Sequence, residues 1–137
     1  MTTAREAYVD DRYPLSAETG RIIAAAQEVH RQLGPGFEEV IYQRALEREL
    51  PAHGLESSRE VWIDVLYKGE KVGRKRVDFM VGAGALGESV MVEIKAKASL
   101  EDVDLVQTLS YLKASGCRVG LLLNFGARRL EIKRLAN

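Results

Sequence analysis

One cysteine, Cys117, stands among the 137 residues, and a lone thiol can form no internal disulfide. With only two histidines beside it, no Cys/His cluster can close a structural zinc site. Both absences fit a reducing compartment. Proline is scarce, three in all, and no run approaches the roughly 18 apolar residues of a membrane span. The segment from Met1 to Pro14 mixes charges with small side chains and lacks the apolar stretch of a secretory signal, so a cytoplasmic protein is expected. Neither charge is in excess, because twenty Lys and Arg offset twenty Asp and Glu. That balance excludes a polycation coating nucleic acid through bulk charge, and a polybasic membrane binder. Charge segregated within the fold remains open.

What is present describes a globular chain: 46% hydrophobic residues with 29% charged. No repeat and no Ser/Gly/Pro linker divides it. A short tail over residues 1–15 is expected, followed by a single domain over residues 16–137. Ser16 with Thr19 opens a first helix, in which Ile22, Ala26, Val29 and Leu33 recur at helical spacing until Gly34, Pro35 and Gly36 stop it. A second helix runs from about Glu38 to Leu50, ended by Pro51 and Gly54. On its wheel Glu39 aligns with Tyr42, Leu46 and Leu50, opposite Phe37, Ile41 and Ala45.

From Glu60 the period falls to two. Val61, Ile63, Val65 and Tyr67 alternate with Trp62, Asp64 and Leu66, and Lys68-Gly69-Glu70 turns the chain into a second strand ending near Val81. A glycine-rich loop, Gly82 to Gly87, leads to a third strand from Ser89 to about Lys95. Asp102 to Ala114 reads as a helix with Leu105, Leu109 and Leu112 on its core face, capped by Gly116. Val119 to Phe125 is a strand covered on both faces, and Leu130 with Ile132 marks a last short one. The order α-α-β-β-β-α-β-β predicts an α/β fold whose mixed sheet joins an antiparallel meander to a parallel pair.

Parity places the chemistry. Asp78 lies on the second strand and Glu93 on the third, and if the two pair as a hairpin the carboxylates fall side by side. Adjacent carboxylates repel, and a hard divalent cation such as Mg²⁺ or Mn²⁺ relieves that repulsion. Lys95 shares a face with Glu93, suited to holding a water or to stabilising charge on a phosphate. Glu39 is a candidate third carboxylate for the metal, and Gln107 a polar residue on the following helix. Taken singly, Glu93-Ile94-Lys95 is an ordinary solvated strand face. The ordered set is not ordinary.

The segment Gly36-Phe37-Glu38-Glu39-Val40-Ile41-Tyr42 resembles the motif that names the GxxExxY proteins, a family within the PD-(D/E)XK nuclease superfamily. The resemblance extends from about residue 20 to the C-terminus, through Val29-His30, Leu33 to Phe37, Val77-Asp78-Phe79, Glu93-Ile94-Lys95, Gln107 with Tyr111-Leu112-Lys113, and Gly120 to Gly126. It implies a restriction-endonuclease-like αβββαβ core with a mixed central sheet flanked by helices. It also implies a nuclease that hydrolyses phosphodiester bonds of nucleic acid, DNA being expected, with Mg²⁺ or Mn²⁺ as cofactor. In such nucleases the acids corresponding to Asp78 and Glu93, and the backbone carbonyl of Ile94, bind the metal while the lysine corresponding to Lys95 assists the water. Glu39 and Gln107 match the further helical acid and the polar helix residue. One departure is that Val77, not proline, precedes Asp78.

Around this set, His30, Tyr42 and Tyr111 are supporting candidates, each with an ordinary packing role as its alternative. Arg74, Lys75, Arg76 and Lys97 are candidate contacts to a phosphate backbone, within a basic first hairpin and beside a second basic group near the C-terminus. The competing functions are a catalytically weak or inactive nucleic-acid-binding module on the same fold, and a purely structural adaptor. A homodimer is one way for so small a unit to cut two strands.

Overall fold

The computed structural model describes residues 15–82 and 88–137. The expected tail, apart from Leu15, and most of the glycine-rich loop lie outside that range. Helix α1, Ser16–Leu33, buries Ile22, Ile23, Ala25, Ala26 and Val29 as one stripe. It stops at Gly34, whose φ of 66° suits glycine and whose N–H still reaches the His30 carbonyl at 2.8 Å. Helix α2, Glu39–Glu49, is continued by a 3₁₀ turn over Leu50–His53 that ends at Gly54. Its buried face is Tyr42, Gln43, Leu46 and Leu50, while Phe37 lies outside the helix and is exposed.

Five strands form one sheet in chain order: β1 Ser57–Tyr67, β2 Glu70–Val81, β3 Val90–Lys95, β4 Val119–Asn124 and β5 Glu131–Ala136. Helix α3, Asp102–Ser115, crosses from β3 to β4 and makes that pair parallel, whereas the other three pairs are antiparallel. The mixed sheet with flanking helices is thus the expected architecture. β1 begins three residues earlier than its alternation suggested, and β5 runs longer.

Two apolar cores occupy opposite sides of the sheet. One joins α1 and α2 to Phe79, Val81, Val90, Val92, Ile94, Val119, Leu121, Leu123 and Phe125. The other gathers Ile63, Val77, Met91, Leu112 and Cys117, with Tyr111 packed against it. Val77 and Phe79 share a parity yet belong to different cores, so the β1–β2 hairpin changes sides between them. The change falls at Asp78, opposite Glu60, whose φ of 58° breaks the regular strand. Beyond it, odd positions of the hairpin pack toward α3 and even positions, Trp62, Arg74 and Arg76 among them, form the outer face.

The core face of α3 differs from expectation. Its buried residues are Asp104, Thr108, Leu112 and Ser115, while Leu109 is 36% exposed. These polar side chains bury because each is satisfied locally. Asp104 closes a capping box with Glu101 and takes a bond from Lys97 Nζ at 2.9 Å, and Thr108 and Ser115 donate to carbonyls of their own helix.

Candidate active site at a fork in the sheet

β2 and β3 pair through Phe79↔Val92, Met80↔Met91 and Val81↔Val90, and there the ladder ends. The next opposed residues are Asp78 and Glu93. Instead of exchanging backbone bonds, they exchange side-chain ones. The Asp78 N–H donates to Glu93 Oε1 at 2.9 Å, and the Ile94 N–H donates to Asp78 Oδ2 at 2.7 Å. Two carboxylates thereby substitute for the missing rungs and hold the strands apart as a fork. Because a strand residue presents its N–H and C=O to the same neighbour, the Ile94 carbonyl faces the β2 side of this fork as well.

The remaining oxygen of Asp78 accepts from Gln43 Nε2 at 3.1 Å. Gln43 lies one turn after Glu39 on α2 and is itself buried. No motif marked it. Its spacing of four from Glu39, on the Tyr42–Leu46 side of the helix, was the available signal. On the opposite layer Lys95 Nζ donates to Gln107 Oε1 at 3.2 Å, which joins the lysine to α3.

Burial pushes both acids up. Asp78 rises to about 6, chiefly through desolvation and further through the charge of Glu39. Glu93 rises to about 8, through desolvation first and the neighbouring Asp78 second. The Lys95 ammonium opposes both shifts. Glu39 itself is exposed and lines, with Glu38, Gln43, Glu60, Arg76 and Asp78, a cleft of about 500 Å³. Among the described residues no three His, Cys, Asp or Glu side chains group closely enough to hold a metal, so Glu39 does not complete a ready-made triad with Asp78 and Glu93.

Other expected residues lie elsewhere. Tyr42 does not bond Glu39: its hydroxyl donates to the Gly34 carbonyl at 2.6 Å and accepts from the Phe37 N–H, and its ring stacks on Phe125 at 4.9 Å. It secures the turn between α1 and α2. His30 Nε2 donates to the Ala127 carbonyl at 3.0 Å, tying α1 to the loop after β4. Tyr111 packs into the second core. Lys97, expected at a phosphate, is instead bonded by Glu101 and Asp104 at 3.1 and 2.9 Å. Arg76 lines the cleft, and Arg74 and Arg76 both lie by the ring of Trp62. Lys75 is exposed on the same strand.

The far end of β3 is clamped by β4. The Phe125 N–H donates to the Lys95 carbonyl at 2.9 Å, and the buried Asn124 side chain accepts from the Lys97 N–H while donating to the Lys97 carbonyl and to Glu131. Gly126 lies so close to Ala96 and Lys97 that a Cβ there would meet backbone atoms at 2.3–2.6 Å.

The chain is similar to one solved structure, "Crystal structure of SSO0001", with a TM-score of 0.48 and 17% identity over 97% of this chain. This chain spans 61% of that chain's length. No curated protein matches. A family model does match from residue 16 to residue 135, through α1, the fork and the helix behind Lys95, and by that match the chain belongs to the PD-(D/E)XK nuclease superfamily.

Proposed function

We propose that the protein is a divalent-metal-dependent nuclease hydrolysing phosphodiester bonds of nucleic acid, DNA first among them. The observation that carries this reading is the fork, where the half-buried Asp78 and the buried Glu93 oppose each other with Lys95 two residues beyond. Superfamily membership supports it, and the Gly36 to Tyr42 segment supports the narrower placement among the GxxExxY proteins.

The donor set suits Mg²⁺ or Mn²⁺. Mg²⁺ is commonly held by one or two carboxylates and keeps waters and substrate phosphates as its other ligands. Asp78, Glu93 and the Ile94 carbonyl would hold it, and their repulsion and burial are relieved by a cation. When bound, the ion supplies charge stabilisation for the phosphorane-like transition state and a more acidic water. Gln43 positions Asp78, and Gln107 positions Lys95. Lys95 presents its ammonium protons to the attacking water and to the charge developing on phosphate. In hydrolysis the water oxygen forms the new P–O bond, one ester P–O bond breaks, and a proton passes to the departing alkoxide. Glu39 adds negative charge at the cleft mouth. Two units acting as a homodimer would reach both strands of a duplex.

The test is incubation with single-stranded, duplex and branched DNA and with RNA, in Mg²⁺ or Mn²⁺. Cleavage that disappears in Asp78→Asn and falls steeply in Lys95→Ala is expected. Absence of cleavage on every substrate overturns the reading, and salt-sensitive binding without turnover would replace it with the nucleic-acid-binding module.

A further inference from the structure

The single tryptophan, Trp62, is 52% exposed on the outer face of the β1–β2 hairpin. Tryptophan is highly buried on average, so an indole half in water departs from its usual place. Its register partner is Arg76, whose guanidinium lies 5.6 Å from the ring centroid, and Arg74 lies over the ring at 4.1 Å. Arg76 and Asp78 line the same cleft, two residues apart on β2, about 7 Å of strand. An indole held by two cations therefore stands within a nucleotide or two of the forked carboxylates.

We infer that Trp62, with Arg74 and Arg76, is a stacking platform for an unpaired base, so that the protein takes nucleic acid that is single-stranded beside the cleft. This rests on the nuclease reading and specifies its substrate. Every base offers a π-face, but a duplex keeps those faces against each other, so an exposed indole is useful only to a strand whose bases are free. The two guanidinium groups beside the ring, Arg76 also lying 3.8 Å from Glu60, supply phosphate contacts. From Ser57 to Val81 the hairpin carries six Lys and Arg against four Asp and Glu, with Arg74, Lys75 and Arg76 consecutive, an excess that favours a polyanion over a protein partner. Sequence alternation alone left Trp62 as one more strand residue. The change of sides at Glu60 is what turns it outward.

Because Trp62 is the sole tryptophan, its fluorescence reports directly. The full chain is titrated in EDTA with oligo-dT, oligo-rU and a blunt duplex. Stacking predicts quenching by the single strands, and a loss of roughly tenfold to a hundredfold in their affinity in Trp62→Ala, with duplex binding changed less than about twofold. Trp62→Phe restores most of the affinity. The dT and rU arms separate DNA from RNA. Equal weakening of all three ligands, unchanged single-strand affinity in Trp62→Ala, or binding without quenching overturns the proposal. So does a dimer that Trp62→Ala dissociates while single-strand binding stays intact, for the ring would then be an interface between copies. Binding in EDTA does not depend on turnover. If no variant or metal gives cleavage yet the quench and its loss hold, the nuclease reading fails and the platform stands.

Discussion

Along its β4 edge, β3 keeps six register pairs, while along its β2 edge the ladder stops after three. The β4 edge is dry and close: every residue of β4 is buried, and Gly126 leaves no room for a methyl group. The β2 edge is opened by acids that occupy the places of backbone groups. One strand thus has a side that fixes position and a side that holds reactive groups apart. Rigidity on the first permits strain on the second, because repelling carboxylates stay together only where the surrounding structure over-determines them.

Lys95 joins the two sides of β3, since its main chain pairs with β4 while its ammonium serves the site. Lys95→Ala is expected to lower kcat by about 10²–10³-fold while leaving the thermal midpoint near wild type, checked by single-turnover cleavage beside a melting curve. Gly126→Ala attacks the close edge. Its Cβ would collide with main chain rather than with a yielding side chain, so a loss of about 3 kcal/mol in denaturant stability is expected.

Glu93→Gln acts on the open edge with the opposite sign. Both acids are raised, so the folded protein retains protons that the unfolded chain releases above about pH 4, and metal-free stability falls as pH rises from about 4 to about 8. The glutamine keeps the acceptor for the Asp78 N–H and removes the charge. In EDTA the variant should match wild type near pH 4 and exceed it by about 2 kcal/mol at pH 8, measured by urea melts at both values. A variant less stable than wild type at pH 8 would mean that the carboxylate is not held against repulsion. The smallest effect is at Gln43, where alanine removes one bond to Asp78. A fall of about fivefold in kcat is expected, with Gln43→Glu worse than Gln43→Ala because it adds a third charge to the fork.

Most of the fold was legible because its signals are local. The apolar stripe from Ile22 to Val29, the period of two after Glu60 and the buried run from Val119 each dictate an element without reference to the rest. Superfamily motifs and strand parity together placed Asp78 opposite Glu93. Three features escaped because they depend on tertiary partners. Asp104 and Thr108 look like surface positions until their own capping bonds are counted, which is why Leu109 was expected inside. Gln43 is an unremarkable helix residue until Asp78 arrives beside it. Lys97 looked like a phosphate contact because its charge was visible and its two carboxylate partners, on the next helix turn, were not.

The amide protons of Asp78 and Ile94 are bonded to side-chain oxygens of the site, not to the ladder. Their solvent exchange and chemical shifts therefore follow the carboxylates themselves. When an ion or a proton draws on Glu93 or Asp78, these two signals should move first while those of Val92 and Leu122 stay still. The fork has a built-in pair of isotopic reporters, able to register what enters the cleft before any bond in a substrate is cut.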